Sequence, residues 1–240
     1  MIQILPDLEA VSSAAAELLA NEAREAVRDH GQFSLVLSGG HTPSRLYELL
    51  SSDPFRGQIS WERVHVFWAD ERCVPPDDPR SNERMAREAL LNHVPILPSG
   101  IHPVHCAPRV GQAAAEYEAL LRTFFKDGAP RFDFVLLGLG VDGHTASLFP
   151  NTHVLEENER WVAGLYVGEQ DLYRVTLTVP IINQAALVAF LVSGASKARI
   201  LHEVLEGPFD PSRLPAQLVS PTSGKLFWLV DEESARLLRK

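Results

Sequence analysis

The strongest constraint on the fold is that apolar runs of strand length alternate with helix-like segments along the chain. Strands that read as continuous apolar runs are typical of a sheet buried on both faces, and helices between them indicate parallel strands. The pattern predicts an α/β fold of three layers, with a mostly parallel sheet between helices, in one domain over residues 1–240. The strand candidates are FSLVLS (33–38), VHVFWA (64–69), FDFVLLG (132–138), RVTLTVP (174–180), ALVAFLVS (186–193) and KLFWLV (225–230).

Helices are predicted between these runs. Apolar residues recur at helical spacing from Leu8 to Val27, and Gly31 suits the end of that helix. Thr42 is a good N-cap and Pro43 a good first helical residue, which predicts a helix to about Leu50. Further helices are expected near residues 81–92, 112–126, 195–206 and 231–239.

Composition excludes several classes of protein. The net charge is −9, from 22 basic and 31 acidic residues, which disfavours a nucleic-acid partner. No apolar run approaches the ~20 residues that span a bilayer, and no signal peptide is recognised, so we expect a cytoplasmic protein without a membrane partner. The two cysteines, Cys73 and Cys106, lack CxxC spacing, and we expect them to be reduced, without a disulfide or structural zinc.

Polar clusters follow four of the apolar runs. SGGHT (38–42), DER (70–72), DGH (142–144) and SGASK (193–197) each come directly after a predicted strand. In open α/β sheets, ligands bind beyond the carboxyl ends of the strands. We therefore expect the four clusters to meet at one edge of the sheet and to form a single site.

The stretch GLGVDGHTASLFP (138–150) contains the candidate base. His144 follows Asp142 in a glycine-rich loop, and a carboxylate on one ring nitrogen leaves the other free to accept a proton. No second histidine stands at metal-ligand spacing, so we expect no metal. His102 and His105 are predicted to be structural or exposed. The absence of a GxSxG motif disfavours a serine nucleophile.

The other clusters suit an anion. Glycines in Ser38-Gly39-Gly40 allow backbone N–H groups to approach a phosphate at a helix start, although a tight turn capped by Thr42 explains the same residues equally well. Arg72 is a candidate to clamp a phosphate or polarise a carbonyl, and Asp70 to orient Arg72 or a substrate hydroxyl. Lys197 opens a helix, where a cation is unfavourable without an anion. Arg174 adds a further positive charge.

Together these motifs resemble the 6-phosphogluconolactonase family, in the family's order and over nearly the whole chain. The combination of ADER with GLGVDGHTASLFP is the most specific feature. The resemblance implies the Rossmann-like fold shared with glucosamine-6-phosphate deaminases and ribose-5-phosphate isomerases. It also implies hydrolysis of 6-phospho-D-glucono-1,5-lactone by a monomer or small homo-oligomer, without a cofactor.

Two alternatives stay open. The sister family of isomerases and deaminases also has a DGH loop, but follows it with a glutamate, in a sequence like DGHIAFNEP. Here the matching stretch is DGHTASLFP, with no carboxylate before Glu156. The second alternative is a non-catalytic sugar-phosphate sensor, but such proteins usually carry a DNA-binding region, and no basic segment suits one.

Overall fold

The structure is a computed structural model that describes residues 1–106, 109–126 and 128–239. The strands are β1 (Ile2–Leu5), β2 (Phe33–Leu37), β3 (Val64–Trp68), β4 (Asp70–Arg72), β5 (Phe134–Gly138), β6 (Val162–Val167), β7 (Leu172–Leu177), β8 (Leu187–Val192) and β9 (Lys225–Asp231). The α-helices are α1 (Leu8–His30), α2 (His41–Leu50), α3 (Asn82–Ala86), α4 (Val110–Phe124), α5 (Val179–Ile182), α6 (Ala198–Glu206) and α7 (Glu232–Ala235).

The larger sheet has six strands in the order β1-β9-β8-β5-β2-β3, and every neighbouring pair is parallel. All residues of β2 and β8 are buried, so both faces of the sheet are covered. This confirms the predicted α/β fold with a mostly parallel sheet. The edge strand β1 was not predicted, because its short exposed sequence lacks a continuous apolar run.

The first two helices show how local sequence sets their ends. Asp7 caps α1 by accepting a hydrogen bond from the amide of Ala10 (2.9 Å), and Gly31 ends it with a φ of 83°. The predicted N-cap at Thr42 is wrong, because α2 begins at His41, two residues before the predicted first helical residue Pro43. Gly40 is the cap there, and its φ of 111° allows the earlier turn.

A second, antiparallel sheet has the strand order β4-β7-β6. RVTLTVP therefore supplies a strand as predicted, but that strand pairs outside the parallel sheet. Residues Asp70–Arg72 form β4, so the DER cluster lies on a strand rather than in a loop. Helix α4 packs on β6 and β7.

The expectation of reduced cysteines is wrong in this structure, where Cys73 and Cys106 form a disulfide with a Cα–Cα distance of 5.2 Å. The reason is topological. The segment that leads to Cys106 runs beside β3, where the amide of His102 donates to the carbonyl of Val66 (2.9 Å). This brings together two cysteines 33 positions apart, which no short spacing motif reveals.

Across the described ranges, none of the helices combines the length and the apolar character needed to cross a bilayer.

Candidate active site

A cleft of about 310 Å³ opens where the four polar clusters meet. It lies beyond the carboxyl ends of β2, β3, β5 and β8, as the sequence predicted, and β4 follows directly after β3. Of the predicted site residues, all but Thr42 and Asp142 line it. The lining residues are Ser38, Gly39, Gly40, Asp70, Arg72, Gly138, Leu139, Gly140, Val141, His144, Thr145, Ala146, Arg174 and Lys197.

A larger groove of about 950 Å³ lies elsewhere, against α2 and α3. Several of its charged side chains are paired, as Arg84 is with Glu88 (2.7 Å) and Glu48 with Arg45 (2.7 Å). It contains none of the predicted site residues. The smaller cleft is therefore the candidate active site.

His144 and Asp142 form a hydrogen-bonded pair in the loop after β5. Nδ1 of His144 lies 2.5 Å from Oδ1 of Asp142, which also accepts from the His144 amide (3.2 Å). Burial would raise the pKa of Asp142, but the hydrogen bonds and charge of His144 outweigh it and the pKa lies below its ordinary value. An ionised Asp142 favours a proton on Nδ1, which leaves Nε2 as the acceptor.

The imidazole is held from two further sides. The ring of His144 stacks on Phe149, with centroids 4.2 Å apart and planes at 29°. The carbonyl of His144 accepts from the amide of Gly140 (2.8 Å), which closes the glycine loop around the ring. The arrangement fits a general base held in one orientation and one tautomer.

Arg72 and Arg174 stand directly opposite each other in the β4–β7 ladder. Side chains at such paired positions share a face of the sheet, and like charges there repel. Burial lowers the pKa of Arg174, and the positive charge of Arg72 lowers it further. The negative charge of Asp70 acts in the opposite direction. The buried Nε atoms of both arginines have no acceptor within the described part of the chain. Both arginines line the cleft, where their positive charge favours an anion.

Asp70 holds Arg174, not Arg72 as the sequence suggested. Its Oδ2 lies 3.2 Å from NH1 of Arg174 and accepts from the hydroxyl of Ser147 (2.6 Å). Arg174 also donates from NH2 to Gln170, while Arg72 donates from NH1 to the carbonyl of Arg80 (2.7 Å). The carboxylate of Asp70 is thus occupied by donors of the protein, and it positions Arg174.

Lys197 reaches the cleft from the segment between β8 and α6. Its Nζ donates to the carbonyl of Leu139 (2.7 Å), and burial lowers its pKa. Asp231 supports this segment by accepting from the Ser193 hydroxyl (2.5 Å) and the Gly194 amide (2.8 Å). Lys197 is therefore an ammonium partly removed from water and directed beside the His144 loop.

The Ser38-Gly39-Gly40 turn lines the cleft with backbone rather than with a hydroxyl. The Ser38 hydroxyl donates to the carbonyl of Leu136 (2.7 Å), and its amide donates to Tyr47 (3.0 Å). An added methyl on Gly39 would lie 1.8 Å from Oδ1 of Asn82, so only glycine fits there. Thr42 lies beyond this turn in α2, and its predicted contact with a phosphate stays a prediction.

Six lining residues of the 138–146 loop were not named as site residues, and neither were the supporting residues Ser147, Asn82 and Gln170. Ser147 lies within the quoted GLGVDGHTASLFP stretch, so its proximity to His144 was an available signal. Asn82 donates to the carbonyl of Asp70 (2.8 Å), but it lies 12 positions from that residue. Gln170 belongs to the β6–β7 turn, which carries no motif. Residues 1–106, 109–126 and 128–239 contain no cluster of three potential metal ligands.

The chain resembles known proteins in sequence and in fold. Residues 6–228 match the family model described as glucosamine-6-phosphate isomerases/6-phosphogluconolactonase. A 6-phosphogluconolactonase of Synechocystis is 46% identical over 220 residues, covering 90% of this chain and 88% of the relative. One of Nostoc is 40% identical, covering 96% and 95%. The solved 6-phosphogluconolactonase of Trypanosoma cruzi superposes with a TM-score of 0.88 at 29% identity, covering 100% of this chain and 97% of that one.

Proposed function

Because the chain belongs to the family of glucosamine-6-phosphate isomerases and 6-phosphogluconolactonases, we propose that it hydrolyses 6-phospho-D-glucono-1,5-lactone to 6-phospho-D-gluconate. This reaction is a step of the oxidative pentose phosphate pathway. The observation that carries the proposal is that one cleft holds an oriented imidazole together with two facing arginines whose Nε donors find no acceptor among the described residues. A phosphorylated lactone needs both a base and an anion site.

In the proposed mechanism, Nε2 of His144 takes a proton from water as the water oxygen attacks C1 of the lactone. Asp142 holds the ring and stabilises the imidazolium that forms. The C1 oxyanion takes hydrogen bonds from amides of the 138–146 loop or from Arg72. The bond between C1 and the ring oxygen then breaks, and the imidazolium returns its proton to that oxygen. Overall, one lactone and one water give one carboxylic acid, so the atoms balance.

The phosphate is assigned to the arginine side of the cleft. Arg72 and Arg174 line the cleft at facing positions, and guanidinium groups bind phosphate oxygens in pairs. Lys197 and the Gly39–Gly40 backbone complete the proposed anion site. This local positive charge is needed because the protein as a whole carries −9.

The isomerase and deaminase alternative is less well supported. That chemistry removes a proton from carbon and needs a free carboxylate, and Phe149 occupies the position of the sister family's glutamate. Phe149 packs on His144, while the carboxylate of Asp70 is held by Ser147 and Arg174. The cleft therefore offers a water-activating base rather than a carbon base.

The decisive experiment generates the lactone in place with glucose-6-phosphate dehydrogenase and follows its disappearance against the spontaneous rate. The wild type is expected to accelerate the loss, and the His144→Ala variant to approach the spontaneous rate. Ammonia release from glucosamine 6-phosphate, measured in parallel, tests the alternative. No acceleration of lactone loss by the wild type would refute the proposal.

We also propose a cytoplasmic location, no nucleic-acid or membrane partner, and a monomer or small homo-oligomer. The net charge of −9 supports the absence of a nucleic-acid partner. Cell fractionation with rapid thiol alkylation tests the location. The same sample shows whether Cys73 and Cys106 are reduced or joined by a disulfide. Light scattering of the purified protein measures its oligomeric state.

A further inference from the structure

Oδ2 of the Asp70 carboxylate is shared unequally between two donors, while Oδ1 accepts from Asn82 (3.2 Å). The Oδ2 atom accepts a short hydrogen bond from the Ser147 hydroxyl (2.6 Å) and a long one from NH1 of Arg174 (3.2 Å). Charge-assisted N–H···O bonds are ordinarily about 2.7–2.9 Å long. Asp70, Ser147 and Arg174 are all at least 95% buried, so water does not explain the unequal distances. Ser147 therefore has the stronger hold on Asp70.

We propose that Ser147 is a positioning residue for the phosphate site, resting on the proposed function. Its hydroxyl occupies Oδ2 of Asp70 and so keeps the Asp70–Arg174 ion pair long. The guanidinium of Arg174 then keeps its position toward an anion in the cleft instead of moving onto its partner. Without the hydroxyl, Asp70 and Arg174 would close on one another, because the freed oxygen has a charged donor next to it.

The backbone holds Ser147 in a position suited to this role. Its amide donates to the hydroxyl of Thr176 (3.2 Å), two residues after Arg174 on the same strand. The hydroxyl of Ser147 is also 3.4 Å from NH1 of Arg174, so it touches both members of the ion pair. Gln170 accepts from NH2 on the other side of the guanidinium. The guanidinium is thus fixed from two sides, and residues 1–106, 109–126 and 128–239 offer its Nε no acceptor.

Ser147 also links the two ends of the site. It lies three residues after His144, in the loop that holds the base. The same short segment therefore sets the orientation of the imidazole and the availability of the Arg174 charge. A change at Ser147 is expected to affect phosphate recognition selectively, because the His144–Asp142 hydrogen bond does not involve it.

The test compares Ser147→Ala with Ser34→Ala. Ser34 is a matched control, since it is 2% exposed and its hydroxyl donates to Asp133 (2.7 Å) at the opposite end of the sheet. Ser147→Ala is expected to raise KM for the phosphorylated lactone about three- to tenfold. Its kcat, and its KM for unphosphorylated glucono-1,5-lactone, are expected to stay within about twofold of the wild type. Ser34→Ala is expected to change thermal stability without this split.

Calorimetric binding of inorganic phosphate and of 6-phosphogluconate gives a readout that needs no turnover. Weaker binding by Ser147→Ala than by Ser34→Ala supports the inference, and equal binding overturns it. An equal KM rise for both lactones also overturns it. If Ser147→Ala does not fold, Ser147→Cys replaces it, because a thiol is close in size and a weak donor. If the wild type fails to hydrolyse the lactone, the proposed function falls, while phosphate binding still decides the role of Ser147.

Discussion

A methyl group added to Gly140 would lie 2.1 Å from Nδ1 of His144 and 2.6 Å from Oδ1 of Asp142. The glycine is therefore required by the hydrogen-bonded pair and not only by the turn. No side chain, however small, fits at residue 140 while the imidazole keeps its place.

Gly140→Ala is accordingly expected to lower kcat for the lactone about 10²-fold or more, because a displaced base loses most of a general-base contribution of ~10²–10⁴. Binding of 6-phosphogluconate is expected to change little. Steady-state kinetics and calorimetry measure the two effects. Gly111→Ala serves as control, since a methyl there meets nothing within 4 Å. An unchanged kcat in Gly140→Ala would remove the imidazole from the mechanism.

Inorganic phosphate is expected to stabilise the protein through the facing pair of Arg72 and Arg174. A ligand at 100 times its Kd adds about 2.7 kcal/mol to the free energy of unfolding. The rise in Tm with phosphate is expected to shrink in Arg72→Gln, at constant ionic strength set with chloride. Arg63→Gln, an exposed position outside the cleft, is the control. An undiminished rise in Arg72→Gln would place the anion elsewhere.

Lys197→Ala is expected to raise KM for the phosphorylated lactone about 10- to 100-fold, and far less for plain gluconolactone. A charge-assisted hydrogen bond contributes roughly 1.5–3 kcal/mol, and each 1.4 kcal/mol is about tenfold in affinity. Arg199→Ala removes a neighbouring cation whose side chain is 88% exposed and pairs with Glu203. An equal loss on both lactones would assign Lys197 to the chemistry or the fold instead.

His102 is expected to make stability fall as the pH drops from about 6.5 to 4. Burial and the adjacent ring of His65 lower the pKa of His102 to about 4, whereas the unfolded chain titrates near 6.5. Between these values the unfolded state binds more protons, so acid favours unfolding. The free energy of unfolding, measured with urea at several pH values, is expected to fall less steeply with acidification in His102→Gln than in the exposed control His105→Gln. Equal slopes would contradict this account.

Dialysis against a chelator is expected to leave lactone hydrolysis unchanged. The site shown here supplies its positive charge from arginine and lysine, and its base from an imidazole whose Nδ1 is bound to Asp142. Activity is measured before and after dialysis, and again after addition of Mg²⁺ or Zn²⁺. A loss of activity that a divalent ion restores would require a different mechanism.

Much of this site was predictable because parallel strands bring distant segments to one edge. The apolar runs located β2, β3, β5, β8 and β9, and the polar residues after such runs supplied seven lining residues. An eighth, Arg174, lies in β7. The features that could not be predicted from the sequence depend on contacts between distant segments. The pairing of β7 with β4, the bond from Ser147 to Asp70, and the disulfide join residues at least 33 positions apart. The start of α2 was predicted wrongly for a local reason. Gly40 caps the helix with a positive φ, which a rule based on Thr42 does not consider.

The Cys73–Cys106 disulfide gives the chain two different unfolded states. It closes a ring with a sequence separation of 33 that contains α3, and a ring of this length removes about 4 kcal/mol of chain entropy at 25 °C in the loop-closure model. In an oxidising compartment the unfolded chain is restricted before folding begins. In a reducing compartment the same folded contacts must overcome the entropy of an open chain. Two samples with identical sequence are thus expected to differ in how far they tolerate heat, according to the thiol chemistry of their surroundings.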